Sequence, residues 1–248
     1  MNKKLIIFDL DGCLTESKQP INLDLVERLE ALLHCYYIAI LAGASYLQFK
    51  DQIIDRLPIS DQLTEKLILL PTNGSACYKF NNTWNKIYSE DLSSSEKELI
   101  LSAFKLCFQE LNFTIPKKPL YGEILEDRGP QITFSGLGQR APLPLKKKWD
   151  PNHLFRLQMI EILSYELKNF EIKSGGFTSL DINKLNHDKS FGISKLLEIF
   201  NFKLNDLLFI GNFQLNGSNF PVKKMGLECW ETSSPDNTKV LIKQLLEK

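Results

Sequence analysis

Residues 5–15 read Leu-Ile-Ile-Phe-Asp-Leu-Asp-Gly-Cys-Leu-Thr. Two carboxylates, Asp9 and Asp11, follow four apolar residues and precede Gly12. A continuous apolar run of this kind reads as a strand buried on both faces, as in the middle of a parallel sheet. Alternation along a strand puts Asp9 and Asp11 on the same side at its end, and Gly12 lets the backbone turn tightly straight afterwards. Carboxylates at the carboxyl end of such a strand sit where α/β sheets place their ligand crevices. Two buried negative charges so close need something cationic between them, and hard oxygen ligands favour Mg²⁺. A bare D-x-D at a strand end is more often a capped loop, but here the pattern is longer, with an apolar run before it and Thr15 behind it.

Other residues further along are candidates for chemistry. Ser45 closes the run Ala42-Gly43-Ala44 after an apolar strand, where a serine is usually a helix N-cap. Lys189 follows Asp188 in the first turn of a helical pattern. A cation there opposes the helix dipole, and that local conflict favours a functional reason for it. Residues 174–182 read Ser-Gly-Gly-Phe-Thr-Ser-Leu-Asp-Ile. Gly175 and Gly176 let the backbone approach a ligand closely, and Ser179 and Asp181 fall on one strand face. Lys146, Lys147 and Lys148 are as readily a solvated run as a phosphate-holding one.

The elements that must position these residues follow from periodicity. Asn22 can cap a helix in which Leu25, Val26, Leu29, Leu32 and Leu33 recur at helical spacing. Strands are predicted over Tyr36–Leu41 and Leu67–Leu70, the first closing a βαβ unit whose strands are parallel neighbours. Asn73-Gly74 signals a turn, and residues 76–84 read as a hairpin. A boundary falls near Tyr88. Beyond it, Ser93 and Glu96 form a capping box ahead of a helix carrying Ile100, Phe104, Cys107 and Leu111. Residues 131–135 and 177–182 alternate, as strands of a sheet with one wet face do, and a helix with Phe155, Met159, Ile162 and Leu163 lies between them. Residues 88–184 therefore read as an α+β insert, an antiparallel sheet backed by two helices, within an α/β core of residues 1–87 and 185–248. In that second half a helix runs to about Phe200, strands cover 207–210 and 227–230, and a closing helix covers 238–246.

The chain has 248 residues, 43% of them hydrophobic, with 30 basic against 30 acidic residues. That balance fits a soluble globular protein and gives no reason to invoke nucleic acid. No apolar stretch approaches the roughly 18 residues that a membrane span needs. Asp9 and Asp11 interrupt the apolar run after Lys3 and Lys4, so the start does not read as a signal peptide. Five scattered cysteines without a C-x-x-C suggest neither a zinc site nor a disulfide framework. A reducing cytoplasm is the expected compartment.

The stretch from Asp9 to Thr15 resembles the first motif, D-x-D-G-T/V, of the haloacid dehalogenase (HAD) superfamily of phosphatases and phosphomutases, with Cys13 at the Thr position. The resemblance makes Asp9 a nucleophile that takes up a phosphoryl group and Asp11 a general acid/base. It gives Ser45 a hydrogen bond to phosphate, and Lys189 the task of offsetting charge at Asp9. It also implies Mg²⁺, held by Asp9, the Asp11 carbonyl and Asn212. The Asn73-Gly74 segment and the Gly-Gly-Phe-Thr-Ser-Leu-Asp-Ile stretch resemble the branch containing eukaryotic phosphomannomutases and related sugar-phosphate phosphatases. That branch inserts an α+β cap between the core halves. By this resemblance Arg128, Gln139, Arg140, Gly175, Gly176, Ser179 and Asp181 bind a small phosphorylated substrate, Gln139 standing at an arginine position. A homodimer through the cap is also implied. The fourth motif, G-D-x-x-x-x-G-N-D, departs: Asn212 replaces its first acid, and Phe220 stands at or beside the second. The expected function is a Mg²⁺-dependent phosphatase of a small phosphorylated metabolite, by the resemblance a sugar phosphate, with slow turnover, a raised Mg²⁺ requirement or no turnover. The alternatives are a phosphomannomutase and a catalytically degraded protein that binds a ligand or partner.

Overall fold

The computed structural model describes residues 3–115, 121–213 and 217–247. The chain opens with β1 (Leu5–Phe8), α1 (Leu23–Cys35) and β2 (Tyr37–Leu41). Asn22 caps α1 by accepting from the Leu25 amide at 2.9 Å, and α1 buries Leu25, Val26, Leu29, Leu32 and Leu33 on one face. Next come α2 (Tyr46–Gln52), α3 (Asp61–Thr64) and β3 (Leu67–Leu70). The hairpin of β4 (Ala76–Asn81) and β5 (Thr83–Ser89) follows, turning at Asn82 with φ 56°. Its second strand runs five residues beyond the predicted hairpin, and β4 pairs antiparallel with β3.

The inserted segment holds α4 (Ser94–Glu110), β6 (Leu125–Asp127), β7 (Gln131–Ser135), α5 (Leu143–Trp149), α6 (Leu154–Glu166), β8 (Phe170–Gly175) and β9 (Ser179–Lys184). The chain closes with α7 (Lys189–Phe200), β10 (Leu207–Gly211), α8 (Phe220–Lys224), β11 (Glu228–Glu231) and α9 (Pro235–Leu246). Two compact units result: residues 1–89 with 187–248, and residues 90–186.

The first unit is built on a seven-stranded sheet in the order β11-β10-β1-β2-β3-β4-β5. Strands β11 to β3 are parallel, which puts β1 in their midst. Ile6, Phe8, Ile38 and Ile40 face a cluster containing Leu25, Leu29 and Ile242. Leu5, Ile7, Ala39 and Leu41 face another containing Ile193, Leu196 and Val222. Helices on both faces explain why β1 is apolar at every position. Burying each such large side chain contributes about 1.5–3 kcal/mol.

The second unit is a four-stranded antiparallel sheet, β6-β7-β9-β8. Ile132, Phe134, Leu180 and Ile182 pack against Phe104 and Cys107 of α4 and Met159 and Leu163 of α6. The opposite face carries Gln131, Thr133 and Ser135 beside Asn183, Asp181 and Ser179. Residues 176–178 are the β8–β9 turn rather than the start of a strand. Alternation holds only from Ser179, since Phe177 has the parity of Ser179 and Asp181, so the predicted strand is two residues too long at its start. Helix α5 was also not anticipated; two prolines and three lysines mask it as a loop.

Candidate active site

Strand β1 ends at Phe8 and delivers Asp9 to the carboxyl edge of the parallel sheet, where its amide donates to the Ile210 carbonyl at 3.0 Å. Asp9, Lys189 and Asn219 are all buried, at 8%, 2% and 2% exposure. Lys189 Nζ lies 2.7 Å from Asp9 Oδ1, and the Leu10 amide donates to the same oxygen at 2.8 Å. Asn219 Nδ2 donates to Asp9 Oδ2 at 2.7 Å and to the Asn212 carbonyl at 2.8 Å. Lys189 Nζ closes the triangle by donating to Asn219 Oδ1 at 2.7 Å. Lys189 opens α7, whose N-cap Asp188 accepts from the Ser190 amide at 2.8 Å. That cap stabilises a helix start that Lys189 alone would oppose. Helix α7 is set by a backbone crossing at Gly192 and Gly74. A Cβ on Gly192 would meet Gly74 Cα at 2.8 Å. Gly211 is needed as well, since its Cβ would come within 2.9 Å of Asn219 Nδ2.

Asp9 and Asp11 do not share the buried environment that alternation predicts. Asp11 is exposed, and its Oδ1 accepts from the Lys18 amide at 2.8 Å and Gln52 Nε2 at 3.3 Å. The period of two stops with the strand at Phe8, and the chain turns through Gly12 at φ 78°. The cation beside Asp9 is a side chain of the protein itself. Ser45 caps α2, with a capping box to Gln48. Its hydroxyl accepts there, which leaves its proton able to donate. Cys13 lies beneath the site and donates to the Ile210 carbonyl at 3.4 Å. Burial first, then the Asp9 carboxylate, push its thiol far above the ordinary range, so it is no rival nucleophile. Sequence reasoning gave no role to Asn219, although it matched the fourth-motif loop, or to Gln52, for which no signal existed.

In the inserted unit the predicted binding residues divide between two ends of the sheet. Ser179 pairs with Ser135 and Gly175 with Ser179. The turn carrying Gln139 and Arg140 leaves β7 at that same end. Arg140 is exposed, and the Gln139 carbonyl accepts from Lys146 Nζ at 2.9 Å. Lys146 is thereby buried rather than part of a solvated run. Arg128 lies beyond the opposite end of β7, and residues 131 to 135 alone span about 13 Å. Its guanidinium pairs with Glu126 at 2.7 Å and donates to Gln131 Oε1 at 3.1 Å. Asp181 sits mid-strand, accepting from the Thr133 hydroxyl at 2.7 Å. Behind the Gly175–Gly176 turn lies Arg156, with no exposed surface. It donates to Asp150 Oδ2 at 2.9 Å and to the carbonyls of Gly175 and Gly176 at 3.3 and 3.0 Å. Its Nη2 lies 2.7 Å from His153 Nδ1.

No protein-family model matches the chain. It is 26% identical to human phosphomannomutase 1 over 198 residues, which cover 77% of this chain and 73% of that protein. Among solved structures, a haloacid dehalogenase-like hydrolase from Bacteroides thetaiotaomicron superposes with a TM-score of 0.68 at 15% identity, covering 98% of this chain and 99% of that one. The IMP-bound, N-terminally truncated IMP-nucleotidase of Plasmodium falciparum gives a TM-score of 0.69 at 16% identity, over 99% of this chain and 68% of that one. The chain has the capped fold of haloacid dehalogenase superfamily enzymes. Residues 90–186 form the unit inserted in the chain between the two halves of the first unit.

Enzymes of the haloacid dehalogenase superfamily generally use Mg²⁺, and the donor set here fits a resident divalent ion poorly. Both Asp9 oxygens already accept from the protein, and the Lys189 ammonium balances their charge. The Asp11 carboxylate is engaged with Lys18 and Gln52. Residues 207–227 contain no Asp or Glu, and Asn212 meets Asn219 through its main-chain oxygen. Gln214, Leu215 and Asn216 of this loop lie outside the described residues. Among the described residues, no three His, Cys, Asp or Glu side chains gather as a metal site requires. What the site does offer is a carboxylate fixed at both oxygens beside an ammonium. No helix among the described residues is long and apolar enough to cross a membrane.

Proposed function

We propose that the protein is a phosphoryl-transfer enzyme, in the first instance a phosphatase, acting on a small phosphorylated metabolite. The observation that carries this reading is the Asp9–Lys189 pair at 2.7 Å, held by Asn219 at the carboxyl end of β1. An oxygen of Asp9 attacks phosphorus in line and the ester P–O bond breaks. The leaving oxygen takes its proton from Asp11, and water then releases phosphate from the aspartyl-phosphate. Lys189 offsets negative charge on Asp9 and the transferring group, and Asn219 with the Leu10 amide fixes the carboxylate plane. Oδ2 accepts one hydrogen bond, from Asn219, and so retains a lone pair for attack. Ser45 donates to the phosphate. Human phosphomannomutase 1 and the IMP-nucleotidase point to a sugar or nucleoside phosphate. Five free cysteines suit a reducing, cytoplasmic setting.

A phosphomannomutase is the second reading, favoured by the match over 198 residues. It needs a firm second phosphate site in the cap, and the engagement of Arg128 with Glu126 and Gln131 weakens that. The test is phosphate release from a panel of sugar phosphates, nucleoside monophosphates and an aryl phosphate, with and without Mg²⁺. Asp9→Asn is expected to lower turnover on the order of a thousandfold or more. Equal turnover by wild type and Asp9→Asn overturns the reading, and interconversion of mannose 1- and 6-phosphates selects the mutase.

A further inference from the structure

We infer that the resident cation of this site is the Lys189 ammonium, and that the ligand-free protein holds no divalent cation. The proposal rests on the reading of Asp9 as the centre of the site, but its own evidence is the arrangement of charge and donors. Mg²⁺ is ordinarily held by one or two carboxylates together with substrate phosphate, and it demands oxygens free to enter an octahedron. Here the single buried carboxylate has an ammonium on Oδ1 and an amide N–H on Oδ2, each at 2.7 Å. The buried set of Asp9 and Lys189 has no net charge to attract a doubly charged ion. Nor can the β10 loop supply another acid, since none occurs between Asp206 and Glu228.

Asn219 occupies the second oxygen of Asp9 and ties it to Lys189. Its amide turns a donor, not an acceptor, toward Asp9 Oδ2, and its oxygen takes a proton of Lys189. Replacing that amide by a carboxylate would set two anionic oxygens in contact with one ammonium between them. The excess negative charge then calls for a further cation. Asn219→Asp is therefore expected to create divalent-cation binding that the natural chain lacks. Asn212→Asp adds an acid to the same loop by a second route.

The experiment is titration of the ligand-free protein with Mn²⁺, followed by the electron paramagnetic resonance signal of the free ion. Wild type should leave the signal undiminished at millimolar Mn²⁺. Asn219→Asp, or Asn212→Asp where Asn219→Asp does not fold, should bind Mn²⁺ about 10-fold or more tighter and melt at a higher temperature with Mn²⁺ than without. Wild-type binding that is lost in Asp9→Asn overturns the inference. So do folded variants that gain no binding. A parallel arm measures orthovanadate binding to wild type in a chelator and in Mg²⁺. Failure of vanadate to bind in either condition removes the phosphoryl-transfer reading, while the Mn²⁺ arms still decide the question of the resident cation.

Discussion

Each unit of the molecule contains a buried ion pair, and the two are used differently. In the core, Asp9 and Lys189 are joined across 180 residues of sequence at 2.7 Å. In the cap, Asp150 and Arg156 are six residues apart and meet at 2.9 Å. Arg156 is sealed, and its planar fork reaches main-chain carbonyls as well as Asp150. Lys189 presents a point charge to one carboxylate and one amide. The guanidinium suits fixed, many-partnered bracing, and the ammonium suits a charge whose partner can change. Asp9 retains slight exposure whereas Arg156 has none. Similar pairing thus yields a sealed brace in one unit and a slightly exposed carboxylate in the other.

Removing the brace should have the largest effect on folding. Arg156→Met leaves Asp150 buried without its partner and is expected to cost about 3–5 kcal/mol in urea unfolding. A loss below about 1 kcal/mol would mean that the cap pair is as adaptable as the core pair. A smaller effect is expected from Gly192→Ala. Its methyl group meets Gly74 Cα at 2.8 Å, which should cost about 1–3 kcal/mol. Because α7 carries Lys189, turnover should fall by more than the stability loss alone explains; unchanged kcat in the folded variant would show that the Lys189–Asp9 distance tolerates the shift. The smallest effect is chemical. Cys13 and Cys77 are buried, and burial raises the Cys77 thiol to about 12, so maleimide should label exposed Cys35 first. Rapid labelling of Cys13 in the folded protein would show that the floor beneath Asp9 opens.

Much of this was legible in the sequence because it rests on local pattern. The unbroken apolar run of β1, the helical spacing in α1, the helix cap at Ser45 and the capping box at Ser93 are each specified by neighbouring residues. Lys189 was legible because it conflicts with its own helix. Two kinds of feature were not legible. The exposure of Asp11 depends on where the strand stops, and D-x-D does not encode that. The role of Asn219 depends on tertiary placement of an amide whose orientation no spacing reveals. Strand β6 is three residues long and has no period to read. Strand β8 alternates only at Phe170 and Ile172 before Lys173 and Ser174, too short a period to separate from a loop.

The grip of Arg156 on the β8–β9 turn has one more consequence. In a trans peptide the carbonyl and the following amide hydrogen point in opposite directions. With the Gly175 and Gly176 oxygens drawn toward the guanidinium, the Gly176 and Phe177 hydrogens are directed to the other side. A buried cation thereby gives an uncharged hairpin tip an electropositive outer lip, made of main chain alone.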